Sequence, residues 1–260
     1  MSKSRLAQTL ASGRLAVTAE CLPPASADAA AVKKLAAALP SSLDAVVVAD
    51  NCGEIHSSSL ACAAILAGEG RQTVLSMVTR DRNRIALQSD ALGAAALGIG
   101  AVLCLSGDHQ SLGVCPQATG VHDIDSIQFA QALNRMRREG VGFHDRKLDP
   151  LPDWLLGAAA HPYMEPLELN LLRFKKKVAA GVDFIVTQAV IDVPSFTRWM
   201  DAVREAGLDR QVAILAGVPA EGGGQIAGQL KSVPGVRGIH VFSGGCESLA
   251  AAVIQEAGLA

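Results

Sequence analysis

The 260-residue chain has few aromatics: Phe, Trp and Tyr together make up 3% of it, although half of its residues are hydrophobic. Its core must therefore be filled by Ala, Val, Leu and Ile, the residues that occupy the layers of a parallel barrel. A surplus of charge is missing too, with 23 basic against 25 acidic residues. That balance gives no net field to draw in nucleic acid or an anionic membrane surface, so neither partner is expected. No run approaches the roughly 18 consecutive apolar residues of a membrane span. The opening MSKSRLAQTLASGR holds no apolar h-region, and the expected location is the cytoplasm. Cysteines never fall as C-x-x-C; Cys21, Cys52, Cys62, Cys104, Cys115 and Cys246 read as reduced cytosolic thiols rather than a disulfide framework. Linkers, low-complexity tracts and internal repeats are also lacking, which makes residues 1–260 one expected domain.

What the chain does have is alternation. Strand-like apolar runs recur at Leu15–Glu20, Ala45–Ala49, Thr73–Val78, Ala101–Leu105, Trp154–Ala159, Asp183–Thr187, Gln211–Ala216 and Arg237–Phe242. Helical patterns lie between them, near Ala29–Ala38, Ser57–Leu66, Asn83–Leu97, Ser126–Arg138, Leu167–Ala180, Pro194–Ala206, Gln225–Lys231 and Glu247–Ala257. Eight strict alternations predict an α/β fold of the (β/α)₈ TIM-barrel type over an open doubly wound sheet. The long connection Asp108–Asp125 follows the fourth strand on its C-terminal side, where a lid or ligand-binding loop is expected. Another, Val141–Pro152, carries His144, Asp145, Arg146 and Lys147 and is expected on the opposite face, in solvent.

In a barrel the active site is built from strand ends and the loops after them. One stretch, 79–110, gathers such features: Asp81 stands where it can cap a helix beginning near Asn83, and Ile85, Leu92, Ala96 and Leu97 give that helix an apolar stripe. Ala101–Leu105 then delivers Ser106, Gly107 and Asp108 to the ligand end of a parallel strand. Glu20 ends the first strand among Thr18, Ala19, Cys21, Leu22, Pro23 and Pro24. Desolvation there would raise its pKa and let it serve as a general acid; the other reading is an ion pair with a barrel cation such as Arg80. Gln188 ends the sixth strand with an amide that both donates and accepts. Cys21, Cys52 and Cys246 follow strands one, two and eight, which become neighbours on closure, but they lack ligand-motif spacing, so no metal is expected. Gly222, Gly223 and Gly224 precede a helix and could leave amides free for phosphate, although a flexible turn is the simpler reading.

Five segments, TRDRNRIALQSDALGAAALGIGAVLCLSGDHQ (79–110), VTAECLPP (17–24), HPYMEP (161–166), FKKKVAAGVDFIVTQAVID (174–192) and GVRGIHVF (235–242), closely resemble the methylenetetrahydrofolate reductase family, in particular the short reductases of acetogenic bacteria. The resemblance runs from about Gly13 to Pro219 and resumes near Val233. It implies a flavoprotein, with FAD or the smaller FMN, that interconverts 5,10-methylenetetrahydrofolate and 5-methyltetrahydrofolate. Glu20 is implied as the acid that protonates N10 and opens the substrate ring. Asp108 is implied to lie between flavin and pterin, Gln188 to contact folate or nicotinamide, with folate anchoring preferred, and Lys177 to meet flavin phosphate or ribose; Lys175 and Lys176 read as a solvated face. Asp50, Asn51, Ser76, Thr79, Arg80, Ser106, Gly107, His122 and Asp125 are the remaining candidates for flavin contact. Ser106 departs from the Arg of many members, though acetogen-type relatives carry a small hydroxyl residue there.

The segment AGVPAEGGGQIAGQLKSVPGVRG departs further, passing almost directly from strand seven to strand eight where the family has several tens of residues that cover the folate. Acetogen-like character implies electrons from a partner subunit, and hence a homo- or hetero-oligomer. Two alternatives stay open: a related barrel flavoprotein with altered substrate or donor, and a catalytically silent scaffold subunit of a methyl-transfer or redox complex.

Overall fold

The computed structural model describes residues 4–259. Eight strands, β1 (Ala16–Cys21), β2 (Ala45–Val48), β3 (Thr73–Val78), β4 (Ala101–Leu105), β5 (Leu155–Ala160), β6 (Phe184–Ala189), β7 (Ala213–Pro219) and β8 (Val236–Phe242), close in sequence order into a parallel barrel. Thr18 pairs with His240 and Ala19 with Val241 across the β1–β8 seam. Around the barrel lie α2 (Ala29–Ala38), α3 (Ser59–Gly68), α4 (Arg84–Ala96), α5 (Ser126–Glu139), α6 (Leu167–Ala179), α7 (Val193–Glu205), α8 (Gly223–Leu230) and α9 (Leu249–Glu256), after an N-terminal helix, α1 (Arg5–Ser12). No helix among the described residues is long and apolar enough to cross a membrane.

Strand side chains alternate between the two faces of the sheet, and here both faces are buried. Val17, Ala19, Cys21, Val46 and Val48 point outward and pack under the helices. Ala16, Ala45, Val47, Val74, Ala101, Leu103, Phe184, Val186 and Leu215 fill the interior. The interior has room for the large Phe184 ring because Gly157, its register partner on β5, has no side chain; a Cβ there would come within 2.3 Å of the ring. The same alternation makes Thr18 and Glu20 share the inward face of Ala16.

Helix α1 was not expected from the sequence. Ser4 caps it, Gly13 ends it in left-handed backbone (φ 79), and Leu6 inserts into the interior cluster while Thr9 donates to Asp44 Oδ1 at 2.7 Å. The N-terminal mouth is thereby plugged, which leaves the C-terminal mouth open to ligands.

Three local expectations are corrected. Asn83, not Asp81, caps α4: its Oδ1 accepts the Ile85 and Ala86 N–H groups, whereas the Asp81 carboxylate is taken by the neighbouring Arg80. The buried face of α4 is Leu87, Gln88, Ala91 and Ala94, and Ile85 and Leu97 are exposed. The 141–152 connection also does not stay at the opposite face; it climbs beside α4, where the Phe143 N–H donates to Gln88 Oε1 at 2.9 Å and Arg84 sits 5.2 Å over the Phe143 ring. His144, Asp145, Arg146 and Lys147 are exposed.

Between β7 and β8 the chain is compact. Gly222 is the left-handed N-cap of α8 (φ 69), and Gly223 and Gly224 are buried within its first turn. A Cβ on Gly224 would run into the Glu256 carboxylate, so this glycine admits close crossing of α9. The glycine run is therefore a helix start packed on α9 rather than a flexible turn.

Candidate active site at the C-terminal mouth

At the open end the inward positions of the strands surround a cavity of about 480 Å³. Ten of the residues singled out from sequence line it: Glu20, Asp50, Asn51, Ser76, Arg80, Ser106, Gly107, Asp108, Lys177 and Gln188. Asp125 lines an adjoining cleft of about 580 Å³, which shares Ser106, Ser126, Ala159, Lys177 and Gln188 with the first. Thr79 and His122 line neither. The Thr79 hydroxyl is buried with no hydrogen-bond partner among the described residues, and His122, in left-handed backbone (φ 43), is exposed with its ring against Gly120.

Glu20 occupies the uppermost inward position of β1. Burial pushes its carboxyl pKa up; the Gly244 N–H, donating to Oε2 at 3.3 Å, partly opposes this, and the nearby Glu247 reinforces it. Arg80 is not its counter-ion. That guanidinium grips both Asp81 oxygens, at 2.7 and 2.9 Å, and donates to the carbonyls of Asn51 and Asp108 at 3.0 and 2.9 Å. Arg80 thus ties together the loops after β2, β3 and β4. Asn51 (φ 43) adds a donation to Asp81 Oδ2. The long Asp108–Asp125 connection is pinned as well, Val114 N–H to Gly53 and Val121 N–H to Arg80.

Asp50 lines the cavity with its acceptor sites filled. Its oxygens take two bonds from Arg82, at 2.6 and 3.2 Å, one from Ser59 Oγ and one from the Val78 N–H. Gly107 must be glycine, since at φ 81 a Cβ would press on Val78 and Arg80 at 3.2 Å. Beyond it the Asp108 carboxylate stands exposed at the rim. Ser106 Oγ donates to Ser126 Oγ at the start of α5, and Asp125 caps that helix in a reciprocal box with Gln128.

Lys177 reaches from α6 to the junction of the two spaces. Its Nζ donates to the Ala159 carbonyl, and burial, with Arg173 nearby, lowers its pKa while Asp125 opposes. A cation so buried and bonded to a neutral carbonyl gains from an anionic ligand. Arg173 and Lys176 line the cleft beside it.

Two residues that shape the site were missed from sequence. His240 forms the floor with its Nδ1 3.0 Å from Thr18 Oγ1, and its ring meets Phe242 edge-on at 4.6 Å. Complete burial with no charged partner pushes its pKa down to about 3, so the ring is neutral. The signal was in GVRGIHVF: Gly238, His240 and Phe242 alternate on one face. Arg82, which holds Asp50, was the other. As for the thiols, all six are free, and among the described residues no three His, Cys, Asp or Glu side chains are grouped to hold a metal. Cys21 faces Cys62 of α3, whereas Cys52 and Cys246 are exposed.

Residues 5–232 match the family model described as methylenetetrahydrofolate reductase. "Methylenetetrahydrofolate reductase 2" of Saccharomyces cerevisiae is 33% identical over 98 residues, covering 35% of this chain and 14% of that protein. "5,10-methylenetetrahydrofolate reductase" of Pectobacterium carotovorum is 26% identical over 217 residues, covering 81% of this chain and 67% of the relative. The chain thus spans a small part of the yeast relative's length and about two thirds of the bacterial one's. Among solved structures, a 2,3-dimethylmalate lyase of the PEP mutase/isocitrate lyase superfamily superposes with a TM-score of 0.61 at 16% identity, covering 98% of this chain and 83% of the other. At that identity the likeness concerns the fold alone.

Proposed function

The chain belongs to the methylenetetrahydrofolate reductase family, and from that premise we propose that it binds a flavin at the C-terminal mouth and interconverts 5,10-methylenetetrahydrofolate and 5-methyltetrahydrofolate. The observation that carries the reading is the pairing of a partly buried carboxyl at the cavity wall, Glu20, whose pKa burial raises, with a contiguous cationic cleft at Lys177. A bound flavin supplies hydride transfer. The diphosphate of FAD would lie along Lys177, Arg173 and Lys176, and the cleft beyond Lys177 has space that FMN would leave unused; FAD is therefore the proposed cofactor. Ser76, Ser106, Gly107 and Asn51 would border the ring and ribityl chain, with Asp125 at the cleft.

Glu20 would give its proton to N10 of the substrate, opening the five-membered ring to an iminium ion. Its burial favours the neutral acid at working pH. Gln188, exposed at the rim, would pair with the donor and acceptor edges of the pterin. Asp108, whose carboxylate has no hydrogen-bond partner among the described residues, would face both pterin and flavin. Neutral His240 would close the floor without adding charge.

The electron donor is proposed to be a partner subunit, and the location the cytoplasm. The eight-residue α8 between β7 and β8 supports a second reading, in which the open rim admits another substrate or donor. Both are tested on the purified protein by its visible spectrum, the identity of the released flavin, and oxidation of methyltetrahydrofolate with a viologen or quinone acceptor. A bound FAD with turnover supports the proposal. FAD without folate turnover favours the second reading, and no flavin after reconstitution leaves a scaffold subunit. Lys177→Gln should weaken retention of the flavin; unchanged retention would remove Lys177 from the phosphate site.

A further inference from the structure

At the seam where β8 meets β1, two amides and two carboxyl groups are paired crosswise. The Gly244 N–H, in the turn after β8, donates to Glu20 Oε2 at 3.3 Å, and the Leu22 N–H, just past β1, donates to Glu247 Oε1 at 3.1 Å. Gly244 (φ 57) and Gly245 (φ 85) take left-handed backbone, and this tight bend folds the turn back over β1. Glu247 is 5% exposed and belongs to none of the ion pairs among the described residues. A carboxyl buried without a cation is costly to keep, and the reaction proposed above has no use for it.

We propose that Glu247 is a positioning residue for Glu20: through Leu22 it holds the end of β1, and it sets a second carboxyl group beside the first. The inference rests on the reading of Glu20 as the acid. Two neighbouring carboxyls disfavour double ionisation, so Glu247 makes Glu20 a better holder of its proton. The other titratable and charged groups around the two carboxyls are Cys21 on β1, Cys52 after β2, Cys62 on α3 and His240 on β8, with Asp50, Arg80, Asp108 and Lys177 across the cavity. Burial is the largest cause of the upward displacement of Glu20, and Glu247 is the charged neighbour that adds to it. Of the two cations that line the cavity, Arg80 is spent on Asp81 and Lys177 donates to the Ala159 carbonyl.

The test is a carboxyl NMR titration of the full chain with ¹³C-labelled glutamate, the Glu20 resonance being identified by its loss in Glu20→Gln. Glu247→Gln keeps an oxygen for the Leu22 N–H and removes only the charge. The Glu20 midpoint should fall, and the alkaline limb of turnover should move down with it. Glu247→Asp, which restores the charge, should return the midpoint toward wild type. An unchanged Glu20 midpoint in folded Glu247→Gln overturns the inference. If no variant turns over methylenetetrahydrofolate, the titration still reads the coupling, so the acid assignment fails separately.

Discussion

Thr18 Oγ1 and His240 Nδ1 lie 3.0 Å apart across the β1–β8 seam, in register with each other and one inward position below Glu20. The contact joins the two ends of the barrel sequence and forms the polar floor of the cavity. Its histidine is neutral because nothing charged compensates its burial.

That neutrality predicts acid sensitivity. Burial pushes the His240 pKa in the folded protein down to about 3, from an ordinary value of 6.5. The unfolded chain therefore takes up the proton first as pH falls, and stability is lost progressively from about pH 6.5 down toward pH 3. Between pH 7 and pH 4.5 the loss from this residue should be on the order of 2–3 kcal/mol. Urea unfolding of wild type and His240→Gln at both pH values measures it. Equal pH sensitivity of the two proteins would show that the ring is not held neutral.

Glu20→Gln should lower methylenetetrahydrofolate turnover by about 10²–10⁴-fold, the usual contribution of a general acid. Flavin content and flavin reduction by an artificial donor should stay nearly intact. Because Glu20 acts protonated and its pKa is raised by burial, wild-type turnover should decline as pH rises through that elevated value, and Gln should abolish this limb. A variant that keeps more than about half of the activity sinks the assignment.

Asp50→Ala should destabilise the protein by about 3 kcal/mol, since it leaves the partly buried Arg82 guanidinium without its main partner and removes the acceptor for Val78 N–H. Arg82→Ala should do comparable harm, and the double variant should cost less than the sum. The denaturant midpoints of the three variants provide the measurement. Additive losses would mean that the pair is not coupled.

Gly157→Ala probes the interior. The added methyl meets the Phe184 ring, which is 0% exposed and has nowhere to move. Overpacking of this kind costs about 1–3 kcal/mol. Thermal unfolding of Gly157→Ala beside Gly157→Ala/Phe184→Leu should show recovery in the double variant, and a neutral single variant would refute the packing argument.

The alternation of eight strands with helices was legible because each element writes its own period into local sequence, and parallel strands buried on both faces read as plain apolar runs. So were the positions at strand ends. A parallel barrel carries every strand's C-terminus to one mouth, which is why Glu20, Asp108 and Gln188 could be expected together although they lie far apart in the chain. What the sequence could not supply was partnership. Arg80 and Arg82 are two residues apart and look alike, yet one binds Asp81 and ties loops while the other binds Asp50 beneath the rim. His240 acquires its neutral state from burial without a charged partner, a consequence of closing β8 on β1. Helix α1 is stable through the interior face that Leu6 fills, and the paired turns at Glu20 and Glu247 exist through the same closure. Local pattern determined where strands, helices and strand-end polar groups fall; register and closure decided which groups meet, because hydrogen bonds and desolvation depend on distances that no local stretch of chain encodes.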